Sequence, residues 1–147
     1  MITYLDTSAF VKLVIDEEDT DEARSWFEES RPAITSVITY PESCSALGRR
    51  ARLSLEDDAR LEEWLAALNA RWSRAVTLEV APERAGALAT KHGLRGTDAI
   101  QLAAAIRVRE RLDAQSIEEP LLFATFDRRL LEAAERESFA TLGGPLK

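Results

Sequence analysis

The chain of 147 residues is 46% hydrophobic and 31% charged, which is the size and composition of one folded domain. Its single cysteine, Cys44, excludes an internal disulfide and any Cys-x-x-Cys motif for zinc or redox chemistry. No apolar run approaches the roughly 20 residues that a bilayer span needs. The opening MITYLDTSAF has neither the basic nor the long apolar region of a signal peptide. We therefore expect a cytoplasmic protein.

The formal net charge of −7 has the wrong sign for a protein that coats nucleic acid. The basic residues are almost all arginines, and several of these cluster at three places in the chain. Arginines one or two positions apart cannot all share one helix face, so we favour an arginine-rich composition over a dedicated phosphate-binding patch. The clusters comprise Arg49, Arg50 and Arg52, then Arg107, Arg109 and Arg111, then Arg128 and Arg129.

The hydrophobic pattern predicts short strands that alternate with longer helices. Strands separated by helices imply right-handed crossovers and a parallel sheet that is covered on both faces. We predict a three-layer α/β/α fold with a central parallel sheet of four to five short strands, in one domain over residues 1–147. The predicted elements are a strand at 2–5, helices at 8–14 and 20–29, a strand at 33–36, helices at 40–53 and from the cap at 54 to about 72, a strand at 75–80, helices at 82–93 and 97–112, a strand at 121–125, a helix at 128–136 and a strand at 139–142.

Four carboxylates follow the ends of predicted strands or begin the helices between them: Asp6, Glu42, Asp98 and Asp127. In an open parallel sheet, ligands bind outside the carboxyl ends of the strands, so these side chains are expected at one edge. Each one alone has a commoner structural explanation. Asp6 and Asp127 stand where N-caps are wanted, Asp98 lies where a helix dipole favours a carboxylate, and Glu42 suits an exposed helix.

Together, the four carboxylates predict a cation site. Two like charges about 4 Å apart repel by roughly 4 kcal/mol at an effective dielectric constant of 20, so a shared site needs protons or a bound cation. A ligand set of oxygen atoms alone favours Mg²⁺ or Mn²⁺ over zinc.

Other catalytic arrangements lack the necessary residues. The one histidine, His92, lies near a predicted helix end, and there is no G-x-S-x-G elbow for a serine nucleophile. No G-x-G-x-x-G or G-K-[ST] loop is present to bind a nucleotide. Cys44 is interpreted as a small buried hydrophobic residue.

Three motifs and the Glu42 helix resemble PIN-domain proteins, in particular the VapC-type toxins of bacterial toxin–antitoxin pairs. The motifs are YLDTSA at 4–9, LRGTDAIQLA at 94–103 and ATFDRRL at 124–130, in order along the whole chain. The resemblance implies an Mg²⁺- or Mn²⁺-dependent endoribonuclease with Asp6 and Asp98 as principal metal ligands and Glu42 and Asp127 completing the acidic set. It also implies that three hydroxyls orient these ligands or contact phosphate. They belong to Thr7, Ser8 and Thr125.

The resemblance carries further expectations about mechanism and partners. A metal-activated water would leave a 5′-phosphate and a 3′-hydroxyl on the RNA. Many relatives have histidine in the place of Gln101, a position that we expect outside the carboxylate set. A VapB-type antitoxin would place a basic side chain against the carboxylates, and a homodimer is expected. The aromatic face of Trp26 and Phe27 is a candidate surface for either contact. Candidate arginines for the rim of the acidic site are Arg49, Arg50 and Arg128.

Two alternatives remain open. The first is a PIN-fold interaction module without hydrolytic activity, which an Asp98→Asn substitution would distinguish from an enzyme. The second is an aspartyl phosphatase or phosphoacceptor domain, because LDTS at 5–8 resembles a strand-end nucleophilic aspartate. Those phosphatases usually carry a second aspartate two residues later, where this chain has Ser8.

Overall fold

Five short strands and seven helices make up the described part of the chain, residues 1–143, in the computed structural model. Residues 144–147 of the predicted domain lie outside the described residues. No helix within residues 1–143 is long and apolar enough to cross a membrane. The strands are β1 (Ile2–Leu5), β2 (Ala33–Ser36), β3 (Val76–Leu78), β4 (Leu121–Thr125) and β5 (Ala140–Gly143). The helices are α1 (Thr7–Lys12), α2 (Thr20–Glu29), α3 (Thr39–Ala51), α4 (Leu55–Trp72), α5 (Pro82–His92), α6 (Gly96–Ala114) and α7 (Arg128–Arg136).

All five strands are parallel and lie in the order β3-β2-β1-β4-β5. The chain moves outward from β1 to β3 and then crosses back to place β4 on the other side of β1. The direction of winding therefore reverses between β1 and β4, and a crevice opens outside the carboxyl ends of strands at such a reversal. Asp6 follows β1 and Asp127 lies two residues beyond β4, so both carboxylates flank this crevice.

Helices cover the sheet on both faces, which confirms the predicted three-layer α/β/α fold. Successive strand residues point to opposite faces. Tyr4 and Phe123 pack in the cluster formed with α5, α6 and α7, whereas Leu5 and Ala124 pack in the cluster formed with α1, α2, α3 and α4. The central strands are consequently buried on both sides and read as continuous apolar runs.

The helix ends follow local capping chemistry in most places. Ser54 caps α4 by accepting a hydrogen bond from the Asp57 amide, and Gly93 ends α5 with a left-handed φ of 66°. The helix start predicted at residue 97 is one residue late. Helix α6 already begins at Gly96 with Arg95 as an N-cap residue that makes no side-chain cap bond, so Thr97 lies inside the first turn.

Strand β3 is shorter than predicted. It comprises three residues at the edge of the sheet, and Val76 is 51% exposed there. The β-branched composition of 75–80 favours extended structure, but only one neighbouring strand is available to pair with it, over three residues.

The aromatic pair of α2 does not form a surface, so that expectation is wrong. Trp26 is 7% exposed and stacks on Phe126 with ring centroids 5.4 Å apart. Phe27 is 2% exposed and meets the Phe10 ring edge-on. The amphipathic face of α2 is therefore buried against α1 and the Phe126 side chain that follows β4, and it is not free for a partner.

Candidate active site

A cleft of about 540 Å³ opens at the carboxyl ends of β1 and β4 and is lined by all four carboxylates predicted from the sequence. We call it the acidic cleft. Two of the three predicted hydroxyl residues, Thr7 and Ser8, also line it, and the third, Thr125, lies behind Asp6. The four carboxylates are those of Asp6, Glu42, Asp98 and Asp127.

Asp6 is held in one orientation at the end of the central strand. Its Oδ1 accepts hydrogen bonds from the Ala9 amide at 2.9 Å and from Ser8 Oγ at 2.7 Å, and its Oδ2 accepts one from Thr125 Oγ1 at 2.6 Å. Burial raises the pKa of Asp6 from its ordinary value of 3.8 to about 6, although these three hydrogen bonds oppose the rise. The nearby Asp127 adds to it. The ionised form of Asp6 is therefore poorly stabilised by the protein alone.

Asp127 and Asp98 lie at the starts of two helices, and both line the cleft. Asp127 caps α7 by accepting a hydrogen bond from the Leu130 amide at 2.9 Å, so the capping role considered from the sequence coexists with a place in the cleft. Asp98 lies in the first turn of α6. Partial burial and then the charge of Asp127 raise its pKa, while Arg95, with Nε 3.3 Å from Oδ2, opposes the rise.

Glu42 is oriented by two side chains from other elements. Its Oε1 accepts a hydrogen bond from Thr7 Oγ1 at 2.7 Å and another from Gln101 Nε2 at 3.1 Å. Glu42 lies in the first turn of α3, whereas Thr7 begins α1 and Gln101 lies on α6. Three helices thus meet at this carboxylate.

Gln101 belongs to the site and connects several of its side chains, which was not expected from the sequence. It is 2% exposed, lines the cleft and lies one turn after Asp98 on α6. Its Nε2 is 3.0 Å from both Thr7 Oγ1 and Thr39 Oγ1, and its Oε1 accepts a hydrogen bond from the Tyr4 hydroxyl at 2.6 Å. A polar residue three positions after Asp98, in an otherwise apolar run, was the available signal, because that spacing keeps both side chains on one helix face.

The three arginines predicted for the rim lie in different places. Arg49 lines the acidic cleft, and Arg128 lines a smaller recess beside it. Arg50 does not line either of them. Its guanidinium lies 3.6 Å from the Glu17 carboxylate and 3.5 Å from that of Asp57.

Two cations that the sequence analysis did not single out also line the cleft. Lys12 is 5% exposed, and its Nζ is 2.9 Å from the Glu17 carboxylate and 3.1 Å from the Glu18 carbonyl oxygen. Its position one turn after Ser8 on α1 was the signal that could have shown it. Arg95 precedes α6 and contacts Asp98.

Comparison with known proteins identifies the family. The family model described as PIN domain matches residues 3–136. This chain belongs to the PIN-domain family. Ribonuclease VapC45 and Ribonuclease VapC49 of Mycobacterium tuberculosis are each 34% identical to this PIN domain over 132 residues, which is 88% of this chain and 86% of the relative. The resemblance to PIN-domain proteins of the VapC type is thereby confirmed.

Solved structures share the fold of this PIN domain. PAE2754 from Pyrobaculum aerophilum superposes with a TM-score of 0.62 at 22% identity, over 90% of this chain and 84% of that chain. FitAcB from Neisseria gonorrhoeae superposes with a TM-score of 0.57 at 19% identity, over 97% of each chain.

The side chains of this PIN domain suit a hard divalent cation by their chemistry. The cleft presents carboxylate and hydroxyl oxygens and no histidine or cysteine, and the single histidine, His92, lies 3.5 Å from the Glu137 carboxylate instead. Within residues 1–143, no group of three or more His, Cys, Asp or Glu side chains already stands in an arrangement that holds a metal ion. The donor set nevertheless fits Mg²⁺ or Mn²⁺. A bound cation would offset the loss of solvation on burial and the repulsion by Asp127, which together raise the pKa values of Asp6 and Asp98.

Proposed function

We propose that this PIN domain, spanning residues 1–147, is an Mg²⁺- or Mn²⁺-dependent endoribonuclease and the toxin of a VapBC-type toxin–antitoxin pair. The observation that carries the proposal is the convergence of four carboxylates from four separate segments on one cleft at the reversal point of the sheet. The names of its relatives, which are ribonucleases of the VapC type, support the choice of RNA as substrate.

Some residues of the cleft would bind the cation, and others orient the side chains that bind it. Asp6 and Asp98 would be the principal ligands, with Glu42 and Asp127 completing the set. Ser8 and Thr125 fix both oxygens of Asp6, and Thr7 fixes one oxygen of Glu42. A bound divalent ion would lower the pKa of a coordinated water and neutralise charge on the scissile phosphate. The expected products carry a 5′-phosphate and a 3′-hydroxyl.

The same cleft suits a protein inhibitor. Five carboxylates line the cleft, the predicted four and Glu17, and they outnumber its three cations. Such a cleft favours a basic side chain, so we propose that a VapB-type antitoxin inserts one there. We also propose a homodimer that acts in the cytoplasm. The buried Trp26 and Phe27 exclude the α2 aromatic face from either contact.

The proposal is tested by the cleavage of a labelled mixed RNA pool by the purified protein. We expect cleavage with Mn²⁺ or Mg²⁺, none with EDTA, and a loss of about 100-fold or more for Asp98→Asn, the scale on which removing a group that stabilises transition-state charge acts. The matched control is Asp58→Asn, which removes an equal charge from the exposed face of α4. It should cleave like the unaltered protein.

Each contrary outcome has a distinct meaning. Cleavage that survives both EDTA and Asp98→Asn contradicts the metal-dependent mechanism. A complete absence of cleavage by antitoxin-free protein, over a broad RNA pool with either metal, contradicts the enzymatic proposal and favours a PIN-fold interaction module.

A further inference from the structure

A smaller recess of about 320 Å³ adjoins the acidic cleft and is lined by three arginines and two of the cleft's carboxylates. We call it the arginine recess. Its residues are Arg95, Asp98, Asp127, Arg128 and Arg129. Arg95, Asp98 and Asp127 line both spaces, so the recess and the acidic cleft adjoin each other.

The arginines of the recess form few and weak ion pairs with other side chains of the protein. Arg95 Nε lies 3.3 Å from Asp98, and Arg128 Nε lies 3.4 Å from Glu132 on its own helix. The two arginine side chains are 75% and 74% exposed, and exposed pairs of this kind contribute little to stability. Arg129 is exposed and forms no ion pair with any residue in the range 1–143.

The start of helix α7 adds positive potential at the same place. Arg128 and Arg129 are its first two residues, and the first helical hydrogen bond runs from the Leu131 amide to the Asp127 carbonyl oxygen. The Asp127 side chain caps only the Leu130 amide. The amides of the two arginines therefore have no partner within the helix, and such amides together with the helix dipole favour an anion.

The two cations of the acidic cleft that do not line the recess, Lys12 and Arg49, offer a weaker anion site. Lys12 is buried and already paired with Glu17, and Arg49 is hydrogen-bonded to the Ser45 hydroxyl. The recess, with three guanidinium groups against two carboxylates, is the more positive side. Arginine forks suit phosphate because they can donate two parallel hydrogen bonds.

We propose that the arginine recess binds a phosphate of the RNA strand next to the scissile phosphate. This inference rests on the proposed ribonuclease function. It names the residues through which a chain of net charge −7 would bind the negatively charged RNA. The four carboxylates then receive the scissile phosphate with their cation, and the recess fixes the register of the strand.

The test is the binding of a fluorescent single-stranded RNA oligonucleotide, with Mn²⁺ present, to protein made inactive by Glu42→Gln. In that background, Arg128→Gln combined with Arg129→Gln should weaken binding by about tenfold. It should also make the slope of log affinity against log salt shallower by about 0.7 for each phosphate that the protein no longer neutralises. The matched control is Arg52→Gln combined with Arg60→Gln, which removes the same charge from exposed positions outside the recess. It should leave the slope unchanged.

A second readout uses cleavage by the otherwise unaltered protein. The recess variant should raise KM more than it lowers kcat, and replacement of both arginines by lysine should recover part of the affinity because the charge returns without the fork. If the Glu42→Gln protein binds RNA but the recess variant retains its affinity and salt slope, the recess proposal is wrong and the ribonuclease proposal stands. If the unaltered protein neither binds nor cleaves RNA, both proposals are wrong.

Discussion

Asp6 is nearly fully buried near the carboxylate of Asp127, so ionisation of Asp6 lowers the free energy of unfolding. Its pKa in the folded protein is about 6, against an ordinary value of 3.8, with burial as the main cause. Between these two pH values the folded state binds more protons than the unfolded state, so this group makes the protein less stable as the pH rises through 6. At about 1.4 kcal/mol per pKa unit, the cost at pH 8 reaches roughly 3 kcal/mol.

Replacing Asp6 by Asn should therefore stabilise the metal-free protein at pH 8, by roughly 1–3 kcal/mol. Asparagine remains a good N-cap, so α1 keeps its first hydrogen bond. The difference between the two proteins should disappear only at a pH about one unit or more below 3.8, where the carboxyl group is protonated in both the folded and the unfolded state. Urea unfolding in EDTA at the two pH values measures it, with Asp58→Asn as the control. An equal or lower stability of Asp6→Asn at pH 8 would contradict the assignment of a raised pKa.

At the scale of elements, one side chain ties together the parts that form the site. Gln101 on α6 contacts Tyr4 of β1, Thr7 of α1, and Thr39 and Glu42 of α3. The ladder of β1 with β2 and β4 holds the strand, and Gln101 connects it to the helices that carry the carboxylates. The orientation of Glu42 thus depends on the packing of α6.

Replacing Gln101 by Leu should lower the stability by about 1–3 kcal/mol, because the buried Tyr4 hydroxyl is left without its acceptor. RNA cleavage should fall about 10–100-fold because Glu42 is no longer supported. Adding Tyr4→Phe removes the second member of the broken pair, so the double variant should recover stability without recovering cleavage. Thermal unfolding and cleavage rates on the same samples separate the two effects. Full recovery of cleavage in the double variant would show that Gln101 acts only through stability.

The elements predicted correctly from the sequence are those set by local patterns, whereas the contacts of Gln101 and Trp26 depend on partners far along the chain. Ser54 and Gly93 end helices by interactions within a few residues, so their sequence neighbourhoods suffice. The contact of Gln101 with Tyr4 spans 97 positions, and Trp26 finds its stacking partner in Phe126. Nothing in the periodicity around either residue specifies such a partner. The four carboxylates were predictable as neighbours because parallel strands carry their ends to one edge.

At the scale of the whole molecule, the topology distinguishes two cavities of similar size. A second cavity of about 540 Å³ lies at the opposite edge of the sheet, near the starts of β4 and β5. It includes acidic residues, among them Asp113 and Glu118, and both are exposed. Because ligands of open parallel sheets bind outside the carboxyl ends, the proposed activity belongs to the acidic cleft alone.

Replacing Asp113 by Asn together with Glu118 by Gln should leave metal-dependent RNA cleavage within about twofold of the unaltered protein. The corresponding pair in the acidic cleft, Asp98→Asn with Glu42→Gln, should abolish it. The same cleavage assay with Mn²⁺ compares the two double variants, which remove equal charge. A large drop in activity from the first pair would move the site to the other edge of the sheet.

The placement of Asp6 at the end of the central strand has a consequence for how such a protein can be controlled. The strand is paired on both sides, and the carboxylate is fixed by an amide and two hydroxyls from α1 and β4. Because this group directly follows a strand that is paired on both sides, switching activity off by displacing it would require breaking the sheet. Control is therefore expected to work by occupancy: an inhibitor fills the cleft of an already assembled enzyme, and its dissociation rate sets how quickly activity returns.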